Sequence, residues 1–330
     1  MQIQIPHSKP YIGRQEIEAV SGVLRSGALA QGKEVKRFEE ECALTLGRKH
    51  AVAVSSGTAA LHLALGALGV PAEEAVAVPS YACAALATAV RLQRAKPDLC
   101  DVGDDYNLDP DLVPDHCKFA IVPHLFGAPA TLPSGVTVVE DIAQSMGGHG
   151  GRATPVAVTS FYATKLITTG EGGMLLADDD GIAEYARDHR DYDNRDDFQV
   201  RYPYKMTDFQ AVMGRVQLRR LSRFLERRRE IASRYHEAFN FLPIRLPDPE
   251  GHVFFRFVIG TERRGDLEAH LLKYGIEAKR PVHRPMHQIL GGVCPKSQKA
   301  HEECLSLPIY PAMIEGELRH VIECLLRFFS

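Results

Sequence analysis

A chain of 330 residues, 45% hydrophobic and 25% charged, has ordinary globular composition and length for about two domains with a real core. A formal net charge of -3 and a sequence pI near 6.5 give no reason to expect nucleic acid or an anionic membrane as a partner. Seven cysteines, an odd count without a C-x-x-C pair, point to reduced thiols in a cytoplasmic protein, not to a disulfide frame or a zinc site.

The opening MQIQIPHSKP has no basic stretch followed by an apolar run, so no secretory leader is expected. Residues 51–54 then read as a strand. Residues 58–68 read as a helix, with Leu61, Ala64, Leu65 and Leu68 on one face. The most apolar window, 75–90, is interrupted by Pro79 and Ser80 and is too short to span a bilayer. Further strands are expected at 75–78, 119–122, 136–139, 156–159 and 173–177. Helical stretches between some of them imply a mainly parallel, doubly wound α/β sheet. Residues 207–239 read as one long helical region carrying Arg219, Arg220 and the run Arg227 to Arg229. After the 243–249 stretch the character changes. A strand at 253–259, a helix at 266–274 and a closing helix at 315–329 suggest a smaller α+β domain. The expected division is 1–235 and 236–330.

Three polar clusters follow expected strands, where ligands bind in open α/β sheets. Ser55-Ser56-Gly57-Thr58 opens a helix and offers hydroxyls and backbone N–H groups to a phosphate. Glu140-Asp141-Ile142-Ala143-Gln144 supplies carboxylates. Ser160-Phe161-Tyr162-Ala163-Thr164-Lys165, followed by a glycine-rich stretch, supplies an amine. Taken singly, each has a plain structural reading as a cap, a salt-bridge partner or a solvated lysine. At one sheet edge they would form a phosphate cup, an acid and an amine, which is the set pyridoxal phosphate requires.

The ordered motifs resemble those of the DegT/DnrJ/EryC1/StrS sugar aminotransferase family, of the fold type I shared with aspartate aminotransferase. They run from Gly27 and Gly32-x-x-Val35-x-x-Phe38-Glu39 through SSGTAALHLAL, VPSYAC, EDIAQS, SFYATK, GEGGM and MTDFQA to LSLPIYP. The resemblance implies a homodimeric enzyme that moves an amino group from glutamate or glutamine to a nucleotide-linked keto-deoxysugar, with pyridoxal 5'-phosphate as cofactor. It makes Lys165 the Schiff-base residue and sets Asp141 against the pyridine nitrogen. Gln144 would meet the ring hydroxyl, and Ser56, Gly57, Thr58 and Ser160 the phosphate. Relatives that dehydrate sugars carry histidine at the lysine position, so Lys165 favours transamination.

Some features depart from the family pattern. Cys83 stands where relatives often place an aromatic group against the cofactor ring. Pro203 replaces an asparagine that crosses to the partner's phosphate, so Tyr204, Lys205 or Arg201 is expected to take over part of that contact. The 128–135 stretch is too short for the helix most relatives carry there, and the 147–159 segment looks trimmed as well. A bare sheet face there could be left for the partner subunit. Arg280, His283, Arg284 and His287 resemble a segment near the sugar-nucleotide site and could meet a diphosphate. His283 and His287 flank Pro285, so a helical metal pair is not expected, and no metal is expected elsewhere. Amination of a keto-cyclitol and a non-catalytic regulatory protein on the same fold are the competing readings. The regulator would use the basic 215–234 region on nucleic acid, although glutamates interrupt it.

Overall fold

The computed structural model describes residues 4–330, so the first three residues of the MQIQIPHSKP stretch lie outside it. Two amphipathic helices lead the chain, α1 (Arg14–Ser26) and α2 (Lys33–Leu46). Each ends on a left-handed glycine, Gly27 and Gly47, the residue type that adopts this turn without a Cβ clash. The sheet follows: β1 (His50–Val54), β2 (Ala75–Pro79), β3 (Lys96–Cys100), β4 (Phe119–Pro123), β5 (Thr137–Asp141), β6 (Val156–Ser160) and β7 (Gly173–Ala177). Helix α3 (Gly57–Ala67) follows β1 and α4 (Ala85–Leu92) follows β2. Strand order is β1-β7-β6-β5-β4-β2-β3. All pairs are parallel except those of β7, which runs antiparallel to both β6 and β1. The expected mainly parallel α/β architecture is present.

Alternate residues of each strand feed opposite cores. Val52, Val54, Val139, Val156 and Val158 pack beneath α3, α4 and α5 (Asp180–His189). Ala51, Ala53, Ala157, Met174 and Leu176 face α2, α6 (Asp208–Leu218) and the first half of α7 (Leu221–Phe239). The expected single helix over 207–239 is therefore two, parted at Arg219 and Arg220.

Three parallel crossovers carry no α-helix, the first being residues 101–118, which join β3 to β4 with only a short 3-10 turn. Residues 124–136 join β4 to β5 through one short 3-10 turn, and 142–155 join β5 to β6 without a helix. The sheet face this leaves, bearing Ala77, Cys100, Ala120, Val122 and Val138, is nonetheless buried. Leu108, Val113 and Cys117 cover it from one loop, and Ala130 and Leu132 from another. The expectation that a partner subunit would be needed here is corrected: the same chain closes it.

The remaining elements are β8 (Phe257–Gly260), α8 (Arg264–Lys273), α9 (His287–Leu290), α10 (Pro295–Glu303), β9 (Cys304–Leu307) and α11 (Glu315–Phe329). Strands β8 and β9 pair antiparallel. They bury Phe257, Ile259, Leu305 and Leu307 against α8, α11 and the second half of α7. Helix α7 thus belongs to both cores, with Leu225 in one and Ile231 in the other. Ile5 also packs into the C-terminal core and bridges to Ile276, so the N-terminal segment returns to this half of the molecule.

Most of the basic residues between 215 and 234 are engaged. Arg215 pairs with Glu34 and Glu41, Arg220 with Glu16, Arg227 with Glu230 and Glu315, and Arg234 with Glu315. Among the described residues, no helix is long and apolar enough to cross a membrane, and all seven cysteines are free thiols.

Candidate active site

The pleat carries three of the expected residues to one place. Ser56 continues the parity of Val52 and Val54, Asp141 that of Val139, and Ser160 that of Val156 and Val158. All three lie at or just beyond the carboxyl ends of parallel strands, on the face roofed by α3.

The cup expected to take a phosphate is built by α3. Ser56 caps the helix, its Oγ accepting from Ala59 N–H at 3.1 Å while its carbonyl accepts from Ala60 N–H. The first-turn N–H groups of Gly57 and Thr58 have no acceptor further back in the helix and remain for a ligand. Gly57 lies hard against Ser160: a Cβ built on Gly57 would sit 2.8 Å from the Ser160 Cβ. Gly173 leaves equal room for Ser56, whose carbonyl oxygen would be 2.3 Å from a Cβ there. These glycines let strand end, helix start and Ser160 converge.

Lys165 sits in the loop between β6 and β7, with its backbone N–H tied to the Tyr162 carbonyl at 2.9 Å. Its Nζ lies 5.3 Å from the centre of the Phe255 ring. Burial lowers the pKa of the amine, Asp141 and Cys83 pull it back up, and Arg256 adds to the lowering. Asp141 shows the mirror pattern: burial raises its pKa and Lys165 opposes that. One Asp141 oxygen accepts from Ala143 N–H at 2.9 Å, which leaves the other free. Cys83 is exposed to solvent although closely surrounded by protein. Burial raises its thiol pKa, with Lys165 opposing and Asp141 reinforcing. Lys165, Asp141 and Cys83 are therefore neighbours.

Gln144 is oriented by the backbone. Its Oε1 accepts from Phe126 N–H at 2.8 Å, which leaves the side-chain amide N–H groups to donate elsewhere. Phe126 is held in the left-handed region at φ 61, uncommon for an aromatic residue and worth about 1–3 kcal/mol of strain. Phe254 is likewise left-handed at φ 53. That turn ends the expected 253–259 strand, which begins only at Phe257, and it leaves Phe255 beside Lys165.

Several residues stand apart from this cluster. The Tyr204 hydroxyl pairs with His62 Nδ1 at 3.1 Å and its ring stacks on Tyr202, while its carbonyl accepts from Ser55 N–H. Lys205 is held by Asp191 and Asp193, and Arg201 by Asp188 and Asp197. Arg280 meets His301 at 2.8 Å. His283 and Arg284 are exposed, Arg284 donating to the Gln288 carbonyl. Both ring nitrogens of His287 are occupied, Nδ1 by Ser80 Oγ at 2.7 Å and Nε2 by Gln298 Oε1 at 3.1 Å. His287 is thus a tie between the C-terminal half and the loop that carries Cys83, and not the free cation expected for a diphosphate.

Sequence reasoning gave no individual role to His124, Glu140, Arg228 or Arg256. His124 Nδ1 accepts from Ala130 N–H at 2.9 Å, so its proton is assigned to Nε2, which donates to buried Glu140 at 3.0 Å. Arg228 is buried on the carbonyls of Phe254, Phe255 and Ile309, with burial lowering its pKa to about 9. A position-by-position pattern gives no sign of these, because their partners, side chains such as His7 and Thr154 as well as backbone carbonyls and N–H groups, are brought in by the fold.

Comparison with known proteins bears on the family and the fold. The model of the "DegT/DnrJ/EryC1/StrS aminotransferase family" matches residues 10–326. The chain is 34% identical to the spore coat polysaccharide biosynthesis protein SpsC of Bacillus subtilis, over 97% of this chain and 95% of that protein. The alignment runs to 375 positions, so the relative carries segments this chain lacks. Among solved structures it resembles DesV of S. venezuelae in complex with a ketimine intermediate, at TM-score 0.90 and 29% identity, covering 96% of this chain and 94% of that one. It also resembles the PMP-form of Spr1654 of Streptococcus pneumoniae, described as a putative sugar aminotransferase. There the TM-score is 0.89 and the identity 25%, over 97% and 96% of the chains.

Proposed function

The chain belongs to the DegT/DnrJ/EryC1/StrS aminotransferase family, and from that premise we propose that it aminates a nucleotide-linked keto-deoxysugar using pyridoxal 5'-phosphate, with glutamate or glutamine as donor. The observation that carries this reading is the convergence of Lys165, Asp141 and the Gly57–Ser160 phosphate cup at one sheet edge.

The residues present fit the cofactor. When bound, it would supply an electron sink for the substrate carbon. Lys165 would hold it covalently and, once released, move a proton at that carbon. The burial-lowered amine suits this, because a larger fraction is unprotonated near neutral pH. Asp141 would keep a proton on the pyridine nitrogen. Gln144 would donate to the ring hydroxyl, and Cys83 would lie against the ring. Ser56, Gly57, Thr58 and Ser160 would bind the phosphate. Tyr204 would reach a phosphate only in a partner subunit, in a homodimer with shared sites, and only by leaving His62. Arg280, His283 and Arg284 would rim the sugar-nucleotide entrance.

The test is spectroscopic first and chemical second. The purified protein with added pyridoxal phosphate should show a visible band that is lost in Lys165→Ala and shifts on adding glutamate or glutamine. A panel of nucleotide-linked keto sugars, read by product mass, then identifies the acceptor. Amination only of a keto-cyclitol would replace the substrate assignment. A colourless protein that retards DNA would overturn the enzyme reading.

A further inference from the structure

We propose that Arg256 binds the α-carboxylate of the amino-acid donor, an inference that rests on the aminotransferase reading above. Arg256 immediately precedes β8 and is largely buried. Burial lowers its guanidinium to about 10, and no carboxylate acts to raise it. Its side-chain partner is the His7 ring, with Nη1 donating to Nδ1 at 3.1 Å. That leaves Nε–H and the outer N–H groups of the fork without an acceptor among the described residues.

His7 cannot satisfy the charge. Burial, Arg256 and Lys279 lower its pKa to about 2, so it is neutral at any working pH. With Nδ1 accepting, its proton is assigned to Nε2, which donates to Ser306 Oγ at 2.8 Å. His7 N–H is bound by Glu277 at 3.0 Å, so the ring is fixed from both sides. It aims Arg256 without neutralising it. An enclosed guanidinium of this kind is costly unless an anion completes it.

Position selects the anion. Arg256 lies 4.6 Å from the centre of the Phe255 ring, and the Lys165 amine lies 5.3 Å from the same ring. The two cations are close enough for Arg256 to depress the Lys165 pKa. A donor amino acid exchanging its nitrogen at Lys165 carries its α-carboxylate two bonds from that nitrogen. The diphosphate of a sugar nucleotide is separated from the reacting carbon by the sugar ring. A guanidinium beside the lysine therefore suits the carboxylate, which it can grip with two parallel N–H donors. Arg228 is nearby, but its Nη1 is already spent on backbone carbonyls.

The test uses the holoenzyme and three probes. Glutarate, a dicarboxylate with no amine, is titrated by calorimetry. Uridine diphosphate is titrated the same way. n-Butylamine, an amine with no carboxylate, is followed by loss of the visible band of lysine-bound cofactor. Arg256→Gln should weaken glutarate at least tenfold and leave uridine diphosphate and n-butylamine within twofold. Arg256→Lys, which keeps charge but not the fork, should fall between and carries the test if the glutamine variant does not fold. Unchanged glutarate affinity overturns the assignment. Equal weakening of uridine diphosphate overturns it in favour of the nucleotide. A wild-type protein with no visible band overturns the aminotransferase reading itself.

Discussion

Glu140 allows a quantitative test of how the site is held. It is buried, and its Oε1 accepts from His124 Nε2–H at 3.0 Å and Gly151 N–H at 2.9 Å, while Oε2 accepts from the Thr154 hydroxyl at 2.9 Å. Glu140→Ala strands two of these donors in the interior. Thr154 keeps an alternative acceptor in the Val156 carbonyl at 3.0 Å. Each stranded donor costs about 1–3 kcal/mol, so with the lost packing the variant should lose about 3–5 kcal/mol. Glu140→Gln should lose only about 1 kcal/mol. Its carbonyl can take the Oε1 place, and its NH2 can face a Thr154 hydroxyl rotated toward Val156. Burial alone would raise the Glu140 pKa, but the bonds from His124, Gly151 and Thr154 hold it below the usual carboxylate range. The sign follows: a depressed carboxylate stabilises the fold above its unfolded pKa, and this is lost as pH falls through the folded value. The gap between wild type and Glu140→Gln should therefore be largest above about pH 5 and close on further acidification. Urea unfolding of the cofactor-free protein measures both. Equal losses for Gln and Ala, or a gap that ignores acid, would refute the reasoning.

Other outcomes follow from the same geometry. Lys165→Ala should unfold within about 1 kcal/mol of wild type, because the enclosed amine has no hydrogen-bond partner among the described residues and burial disfavours its charge; denaturant melts check this beside the lost visible band. Gly57→Ala should fold but bind pyridoxal phosphate at least about tenfold more weakly, since its methyl group would enter the space beside Ser160, as a cofactor titration would show. Arg228→Met should cost about 2–4 kcal/mol, read by thermal unfolding, because the Phe254, Phe255 and Ile309 carbonyls lose a common donor. Light scattering should report a dimer; a monomer that keeps full activity would remove the shared-site arrangement.

The strands richest in β-branched residues were legible, and so were the clusters that follow them, because a parallel sheet fixes both the edge and the side on which such clusters gather. Strand β3 was not expected. Its sequence Lys-Pro-Asp-Leu-Cys is poor strand material, and it survives at the sheet edge, where proline and charge are tolerated. The 253–259 run was over-read for the opposite reason. It is apolar but for Arg256, yet Phe254 turns left-handed and aims Phe255 at the lysine. The break between α6 and α7 at Arg219 and Arg220 has no glycine or proline to announce it. His287 was given a ligand role because motifs name residues without showing which neighbours claim them first. Arg256 gave no signal, since its meaning lies in the lack of a carboxylate partner in three dimensions.

The one antiparallel strand of the seven-stranded sheet sets an order in time. Strand β7 closes on β6 across one short connection, the loop that presents Lys165, and that hairpin can form as soon as both segments exist. Strand β1, which launches the Ser56–Gly57 cup, finds its partner only in that same β7, more than a hundred residues later, with His50 opposite Ala177. A chain leaving the ribosome must therefore hold its first strand unpaired until the seventh has emerged, and contacts of that span form slowly. The amine is in place early and the phosphate cradle late. If the site takes pyridoxal phosphate as proposed, its capture marks the moment at which the first and last strands of the sheet in chain order have paired, and pulse-labelled hydrogen exchange on β1 should show protection appearing together with cofactor colour.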